Sequence, residues 1–381
     1  MAPSTQRRPW KPSTLLRGAA KLLLCALFAV PAQAEPPQAQ QPLDPVQPSL
    51  EEDPLFSVES PIGAIEYRAG RGLHFGRTGL NIGGFTTLEF EREEGEPGRL
   101  ALDGLNFLAL LQPIHWARAF AEIEIDNLFW WETNQDSVES NPGVAIERLF
   151  GDLVLGDPLT ARFGKFQTPV GRWNLVPAEP FTWSANDPVV VETAFDEHTT
   201  GAALLGSLYP TSGTLDYWIY GQVLDPLHPS ESPEPVDRSV GARLQFDRAV
   251  GQWSVGTSFL ASELNGNWSF LGGLDAEWLI GPLELSSEFT IQRGAIEDRS
   301  LWDVYVQGVC EVLPELLPNV FLVGRYEHFH PSGPGNDANL WDLGVTWIPR
   351  PYLRLKATYR LSDQETDDVA RGVKLTFSVI F

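Results

Sequence analysis

The sequence predicts an all-β protein: a transmembrane, antiparallel, up-and-down β-barrel of about 16 strands over residues 77–381. Three patterns indicate this fold. Apolar and polar residues alternate along many segments, so each segment has one apolar and one polar face. The segments are mostly about ten residues or longer, above the average soluble strand and close to the roughly 9–11 residues that cross a bilayer. Connections between them alternate between short and long.

Residues 1–34 are predicted to be a cleaved secretory signal peptide. A basic stretch precedes the apolar run from Leu22 to Val30, which is too short to cross a bilayer, and Ala32-Gln33-Ala34 matches a cleavage site. Cys25 is predicted to leave with the peptide, so that Cys310 has no disulfide partner within the mature chain. Because the peptide holds five basic and no acidic residues, its removal changes the formal net charge from −23 to −28.

Two further segments precede the predicted barrel. Residues 35–53 are rich in Pro, Gln and acidic residues, a composition that predicts an extended periplasmic tether. Residues 54–76 fit neither a tether nor a regular strand. The sequence leaves two interpretations of them open: a periplasmic cap, or a plug lying inside the barrel.

The alternation is clearest at the C-terminal end of the chain. Over Gly372–Phe381 the apolar residues keep one parity, and Lys374, Thr376 and Ser378 keep the other. The same pattern marks sixteen predicted strands, which begin near residues 80, 99, 116, 144, 159, 199, 214, 238, 252, 268, 283, 300, 319, 338, 352 and 372.

Connection lengths support a membrane barrel over a soluble sandwich. Tight connections such as Gln112–His115 and Pro349–Pro351 alternate with longer ones such as Thr133–Gly143 and Gln167–His198. An even number of strands, with short periplasmic turns and long extracellular loops, is typical of bacterial outer-membrane barrels. The connection at Asn265–Asn267 is shorter than this alternation predicts.

Charged residues keep to the polar parity in most predicted strands. A Lys or Arg facing lipid at mid-bilayer costs about 2–4 kcal/mol, so this parity is predicted to line the lumen. The predicted basic pore-lining residues are Arg325, Arg354, Lys356, Arg360 and Lys374. The predicted acidic pore-lining residues are Glu122, Glu124, Asp126, Asp275, Glu277, Glu284, Glu288, Asp303 and Asp342. Tryptophans on the apolar parity predict an aromatic girdle at the membrane interfaces.

Composition excludes several functions. The acidic balance argues against nucleic-acid binding, which requires a basic surface. Two cysteines cannot close a zinc site, and His328 and His330 have no evident third ligand, so no metal and no cofactor are predicted. No G-x-S-x-G element occurs, and no nucleophile pairs with His198. The chain is therefore predicted not to be an enzyme.

Two stretches resemble known proteins. The last twelve residues, ARGVKLTFSVIF, resemble the final strand of bacterial outer-membrane proteins, in which the barrel-assembly machinery reads the terminal aromatic, here Phe381. Arg162–Asn174, RFGKFQTPVGRWN, resembles an R-x-G-K-F-x-x-P-x-G element of porins in the phosphate-selective porin O/P superfamily. That family lines its pore with lysines, whereas residues 35–381 contain only Lys165, Lys356 and Lys374. The acidic balance would repel phosphate, so phosphate selectivity is not predicted.

The longest connection, Gln167–His198, is predicted to be a constriction loop. Its prolines and tryptophans indicate an ordered loop, and loops of this length are usually functional. The third loop of general porins resembles it in length and folds inward. Its predicted constriction residues are Glu179, Asp187, Glu192, Asp196 and Glu197. We expect these acids to face the Arg/Lys wall across the pore and create a transverse field; the alternative is an outward loop with solvated acids.

The predicted function is that of an outer-membrane porin, a water-filled channel for passive diffusion of small hydrophilic solutes, with a preference for cations or zwitterions. Two alternatives stay open: a channel specific for a sugar or carboxylate, with Trp173, Trp183 and the Arg wall as ligand contacts, and a closed barrel acting as an enzyme or anchor. The predicted partners are outer-membrane lipid, the barrel-assembly machinery and the solutes. Resemblance to porins also implies a possible homotrimer.

Overall fold

The computed structural model describes residues 54–176, 178–222, 224, 236–248, 251–294, 300–331, 337–364 and 370–381. Their strands form one antiparallel sheet whose last strand pairs with its fourth, which closes a barrel. The predicted signal peptide (1–34) and tether (35–53) lie outside the described residues, so both stay predictions. No helix in the described part of the chain is long and apolar enough to cross a membrane.

Sixteen strands make the closed barrel. Their bounds are β4 Leu80–Glu93, β5 Arg99–Ile114, β6 Ala117–Glu132, β7 Ala145–Val154, β8 Thr160–Gln167, β9 His198–Leu208, β10 Gly213–Gln222, β11 Arg238–Arg248, β12 Trp253–Leu264, β13 Asn267–Ile280, β14 Leu283–Gly294, β15 Ser300–Glu311, β16 Val320–His330, β17 Ala338–Arg350, β18 Leu353–Ser362 and β19 Gly372–Ile380. Each begins within one residue of its predicted start. The predicted fold class is confirmed.

Pairing between the first and last barrel strands closes the sheet. The register places Thr87 of β4 opposite Ser378 of β19, with their hydroxyl groups 2.9 Å apart. Beyond β19, the backbones of Phe381 and Gly84 exchange hydrogen bonds of 2.8 and 2.9 Å. The Phe381 ring packs edge-on against Phe107, a residue exposed on the outer face, at a centroid distance of 6.2 Å.

The two faces of the barrel are inverted relative to a soluble protein. On β13, Leu274 is 58% exposed, whereas its neighbour Asp275 is 5% exposed. The same inversion holds along β16–β18, where Leu322, Leu343 and Tyr359 face outward and the charged residues between them face inward. Apolar side chains outside and charged side chains inside are the arrangement that a lipid-embedded barrel with an aqueous interior requires.

Turns at the two ends differ as predicted. At one end, here called the short-turn end, tight connections such as Gly281-Pro282 join the strands. The opposite long-loop end carries the connections 133–144 and 168–197. The exception at residues 265–266 is a two-residue turn at the long-loop end, with Leu264 paired directly to Asn267. The strand boundary predicted there is therefore correct, although the loop is short.

Three short strands precede the barrel: β1 Phe56–Ser60, β2 Gly63–Arg68 and β3 Gly72–Phe75. β3 pairs with the first residues of β4, where β19 has already ended, so these strands extend the barrel sheet at the short-turn end. The segment 54–76 therefore lies along the sheet edge. The two interpretations left open by the sequence, a periplasmic cap and a plug, stay predictions.

An apolar core lies inside the barrel. A short helix, α1 Val189–Thr193, buries its valines against inward-facing residues of β12–β17, including Leu301, Tyr305 and Leu340. A second cluster joins Trp183 to Val309, Phe321, Val323 and Ile348 near the short-turn end. Apolar residues on the inner face thus hold the connection between β8 and β9 within the lumen.

Candidate functional site

Residues 168–197, here called the inner loop, fold into the barrel instead of projecting outward. The loop includes two 3₁₀ turns, Trp173–Leu175 and Glu179–Phe181, followed by α1. It reaches inner-face residues of β4, of β12–β14 and of β16–β19, on widely separated parts of the wall.

The porin-like motif positions the start of the inner loop. Gly171 adopts a left-handed φ of +63°, and a Cβ there would lie 2.1 Å from Oε2 of Glu288. Only glycine fits this close approach without displacement. The backbone N–H groups of Arg172 and Trp173 donate to Oε1 of Glu288 at 2.9 and 2.5 Å. Tyr305 donates to the same oxygen at 2.7 Å, so Glu288 acts as the anchor of the loop.

Two further acidic residues of this wall bind the loop. Nη1 of Arg172 lies 2.6 Å from Oε2 of Glu277, and the indole N–H of Trp183 donates to Oε1 of Glu284 at 2.9 Å. Glu277 of β13 and Glu284 of β14, both predicted to line the pore, therefore bind side chains of the inner loop. Asp275 is paired with Arg243 through two contacts of 2.5 and 2.9 Å.

The inner face of β16–β19, here called the covered wall, lies directly against the loop. Nζ of Lys356 donates to Oε1 of Glu179 at 2.8 Å and to the Glu179 carbonyl oxygen at 2.6 Å. Thr87 and Ser378 donate to Oε2 of Glu179 at 2.9 and 3.0 Å. Although burial acts to raise the pKa of Glu179, the Lys356 ammonium and these hydroxyl donors hold it below its usual value.

A charged cluster on the covered wall binds the middle of the loop. Asp342 on β17 lies opposite Arg325 and Arg360 on the flanking strands, with contacts of 2.5 and 2.8 Å. Both arginines also donate to loop carbonyl groups: Arg325 to Asn186 and Asp187 at 2.9 and 3.0 Å, and Arg360 to Asp187 at 2.8 Å. We call Arg325, Asp342 and Arg360 the covered ion cluster.

These contacts correct one expectation. The sequence-based hypothesis places the acidic loop across open water from the Arg/Lys wall, whereas Glu179 and Lys356 are in contact. The loop lies on this wall because backbone carbonyls and a carboxylate satisfy its buried cations, which would otherwise be strongly destabilised. Of the other predicted basic residues, Arg354 stacks over Phe181 at 5.1 Å, and Lys374 pairs with Glu89 at 2.9 Å.

Carboxylates gather at the long-loop end of the lumen. Glu197 is surrounded by Glu147, Asp187, Glu192 and Asp196, here called the carboxylate cluster together with Glu197. Glu192 and Glu197 have exposed surface, but the atoms of the surrounding barrel and loop displace much of the bulk water around them. Burial, followed by repulsion from Asp187, raises the pKa of each to about 7.

The inner face of β6–β8 is here called the open wall. Asp152 on β7 lies opposite Arg118 and Arg162 on the flanking strands, with contacts of 2.7 and 2.8 Å. We call these three residues the open ion cluster. The Asp152 side chain is 0% exposed, whereas Arg118 and Arg162 are 38% and 20% exposed. The guanidinium groups therefore face the lumen, with the carboxylate behind them.

The open wall contains functional candidates that the sequence analysis missed. Arg118 and Arg148 share the inward parity of the predicted Glu122, and the same alternation would have identified them. Arg148 forms a salt bridge with Glu122. Glu124 accepts from Asn106 at 3.2 Å, and Asp126 accepts from the backbone of Gly143 at 2.7 Å.

The other predicted site residues are buried or contact neighbouring groups. Asp303 is 1% exposed on the inner face of β15, and Asp196 approaches the backbone N–H of Val236 at 3.3 Å. Trp173 donates to Asp187 at 3.2 Å. Among the described residues, no cluster of three or more His, Cys, Asp or Glu side chains is placed to hold a metal ion. The pore-lining and constriction roles of all these residues stay predictions.

Comparisons with known proteins identify the fold. No family model matches the sequence, and no curated protein matches it. Many solved structures are similar to this chain, and three of them are described here. A loop L8 deletion mutant of OmpT, an outer membrane protein of Vibrio cholerae, matches with a TM-score of 0.57 and 13% identity, covering 79% of this chain and 99% of that one. OmpF of Salmonella typhi, complexed with daunomycin, matches with a TM-score of 0.57 and 11% identity, covering 79% and 97%.

The third similar structure is an anion-selective porin from Comamonas acidovorans, with a TM-score of 0.54 and 12% identity, covering 79% of this chain and 99% of that one. At such low identities the similarity shows the fold alone. The fold is that of bacterial outer-membrane porins. The finer resemblance to the phosphate-selective porin O/P superfamily rests on the sequence motif.

Proposed function

We propose that this chain is an outer-membrane porin that allows passive diffusion of small hydrophilic solutes and is not phosphate-selective. The observation that supports this function best is the inverted barrel, in which charged side chains line a closed ring of sixteen strands. A barrel of this size is wide enough to leave an aqueous channel beside a loop. Solutes would be selected by pore width and lumen charge, without covalent chemistry.

We further propose that the channel prefers cations. Most predicted basic residues are already paired with a carboxylate: Lys356 with Glu179, Arg325 and Arg360 with Asp342, and Lys374 with Glu89. The carboxylate cluster instead borders water at the long-loop end. Negative groups at a pore mouth raise the local concentration of cations.

Insertion and assembly belong to the same proposal. Phe381, at the edge of the barrel and beside Phe107, is in a position suited to recognition by the barrel-assembly machinery. A homotrimer is supported by one similar structure, the trimer form of Vibrio cholerae OmpT, with a TM-score of 0.55 and 12% identity.

The test is single-channel recording in planar bilayers. Purified, folded protein should conduct in steps, and deletion of Glu179–Asp196 should raise the conductance about twofold or more because the inner loop narrows the pore. Deletion of Asn134–Ser137, in another loop, should leave it unchanged. Equal conductance after both deletions would contradict the constriction role. Absence of any conductance would favour the closed-barrel alternative, and a strong anion preference would contradict the proposed selectivity.

A further inference from the structure

The covered and open ion clusters have the same construction but different surroundings. Each places one aspartate between two arginines, but in the covered cluster a second carboxylate, Glu327, lies 3.8 Å from Arg325. The surplus positive charge therefore belongs to the open cluster. In the covered cluster two loop carbonyl groups also accept hydrogen bonds from Arg325 and Arg360. In the open cluster, Nε and Nη2 of Arg162 bind Asp152, and no acceptor in the described part of the chain contacts Nη1 of Arg162.

The lumen side of the open cluster therefore presents a donor without a protein acceptor. Arg162 is held in place by stacking over the Phe150 ring at 3.8 Å, so its guanidinium orientation is fixed. Guanidinium groups that are oriented in this way bind carboxylates strongly, since the hydrogen bond is charge-assisted. Arg148 lies on the same wall and is bound to Glu122 and Gln167.

A cavity of about 80 Å³ lies beside Arg162, between the open wall and the inner loop. Its polar lining consists of Arg148, Arg162 and Gln167. The rest of its lining is apolar and includes Leu175 of the loop, with Ala203, Leu205 and Trp218 of the barrel. A cationic rim next to an apolar recess matches a ligand with an anionic head and an apolar tail.

The size of the cavity limits that tail. An apolar cavity of about 150 Å³ holds benzene, and a water molecule occupies about 30 Å³ of liquid. A cavity of about 80 Å³ therefore accepts a short alkyl chain but not an aromatic ring. Inorganic phosphate and small cations would leave the apolar recess unfilled.

We propose that this cavity is a binding site for short-chain monocarboxylates. The carboxylate binds Nη1 of Arg162, and the alkyl chain packs against Leu175, Ala203 and Leu205. The inference rests on the proposed porin function, since the ligand reaches the cavity through the lumen. It makes the open wall a specific contact within an otherwise cation-preferring pore, so that a carboxylate crossing the barrel pauses there.

The test is equilibrium binding of propionate to the folded, purified barrel, followed by saturation-transfer NMR. Propionate should saturate the site, and propionamide, which has the same shape without the charge, should bind about tenfold or more weakly. Benzoate should not compete for the cavity. Arg162→Gln should weaken propionate binding about tenfold or more, because it removes the charge-assisted contact.

Two further variants make the result specific. Ala203→Leu fills the cavity without changing any charge and should abolish binding. Arg238→Gln removes an arginine that is 72% exposed at the long-loop end and should leave binding unchanged. Equal binding of propionamide, or undiminished binding by both Arg162→Gln and Ala203→Leu, would overturn the site. Conductance of the same preparation is measured separately. A barrel that conducts but does not bind propionate refutes this site alone. A barrel that binds propionate but does not conduct refutes the diffusion channel alone.

Discussion

The covered and open ion clusters carry the same side chains in the same cross-strand arrangement, but they serve the barrel differently. Arg325 is 0% exposed beneath the inner loop, whereas Arg118 is 38% exposed to the lumen. The register of the sheet is sufficient to pair each aspartate with its two arginines. The ion cluster that the inner loop covers therefore has a structural role, whereas the ion cluster that it leaves uncovered can contact solutes.

The largest expected difference concerns stability. Asp342→Asn should lower the free energy of unfolding by about 3–5 kcal/mol, because it removes the carboxylate that contacts both Arg325 and Arg360 and leaves only Glu327, 3.8 Å from Arg325. Asp152→Asn should cost only about 1 kcal/mol, because water can solvate Arg118 and Arg162. Equilibrium unfolding of the folded barrel by urea in lipid vesicles measures both. Equal losses would show that the two clusters are equally buried and would remove the distinction.

A smaller effect is expected from pH. Glu192 and Glu197, each with a pKa raised to about 7, are largely neutral at pH 6 and largely ionised at pH 8. The lumen mouth gains negative charge over this window, so the ratio of potassium to chloride permeability should rise about twofold or more. Reversal potentials in a salt gradient measure this ratio.

The matched control for the pH effect is the double variant Glu192→Gln with Glu197→Gln, which keeps the shape of the loop. The ion selectivity of this variant should no longer change between pH 6 and pH 8. At both pH values it should resemble the selectivity of the original protein at pH 6. A pH response that persists in this variant would assign the titration to other groups.

The smallest expected effect concerns the anchor of the loop on Glu288. Gly171→Ala should destabilise the folded barrel by about 1 kcal/mol more than Gly266→Ala. Both glycines have positive φ, but a Cβ at Gly171 would approach Oε2 of Glu288 to 2.1 Å, whereas no atom lies within 4 Å of the equivalent position at Gly266. Both variants share the backbone strain of a positive φ, so the difference between their thermal unfolding transitions reports the clash with Glu288. Identical transitions would show that Glu288 can move away at no cost.

Strand positions could be predicted from the sequence because they depend on local alternation. A period of two is visible within each strand, and the cost of a charge in lipid enforces it. The inward position of Asp275, Glu288 and Asp342 follows from the same parity. Short turns then require consecutive strands to be neighbours in the sheet. An even number of strands follows because the first and last strands of a closed antiparallel sheet must also be antiparallel.

The position of the inner loop could not be predicted in this way, because its contacts join distant residues. Arg172 binds Glu277, and Lys356 binds Glu179, across separations that periodicity does not report. One local signal was present. Leu301, Tyr305 and Leu340 place apolar side chains on the polar parity, which indicates a covered part of the inner wall. The valines of α1 supply the covering surface.

Accessibility of single cysteines tests the central claim most directly, which is that the inner loop covers the inner face of β16–β19 and leaves part of the inner face of β6–β8 to water. With Cys25 and Cys310 replaced by serine, Glu147→Cys and Thr346→Cys are each treated with a small, charged thiol reagent. Thr346 is 0% exposed and donates to the carbonyl oxygen of Trp183 in the loop, whereas the Glu147 side chain is 25% exposed. We expect rapid labelling of Glu147→Cys, and labelling of Thr346→Cys only after deletion of Glu179–Asp196. Rapid labelling of Thr346→Cys with the loop intact would contradict this arrangement.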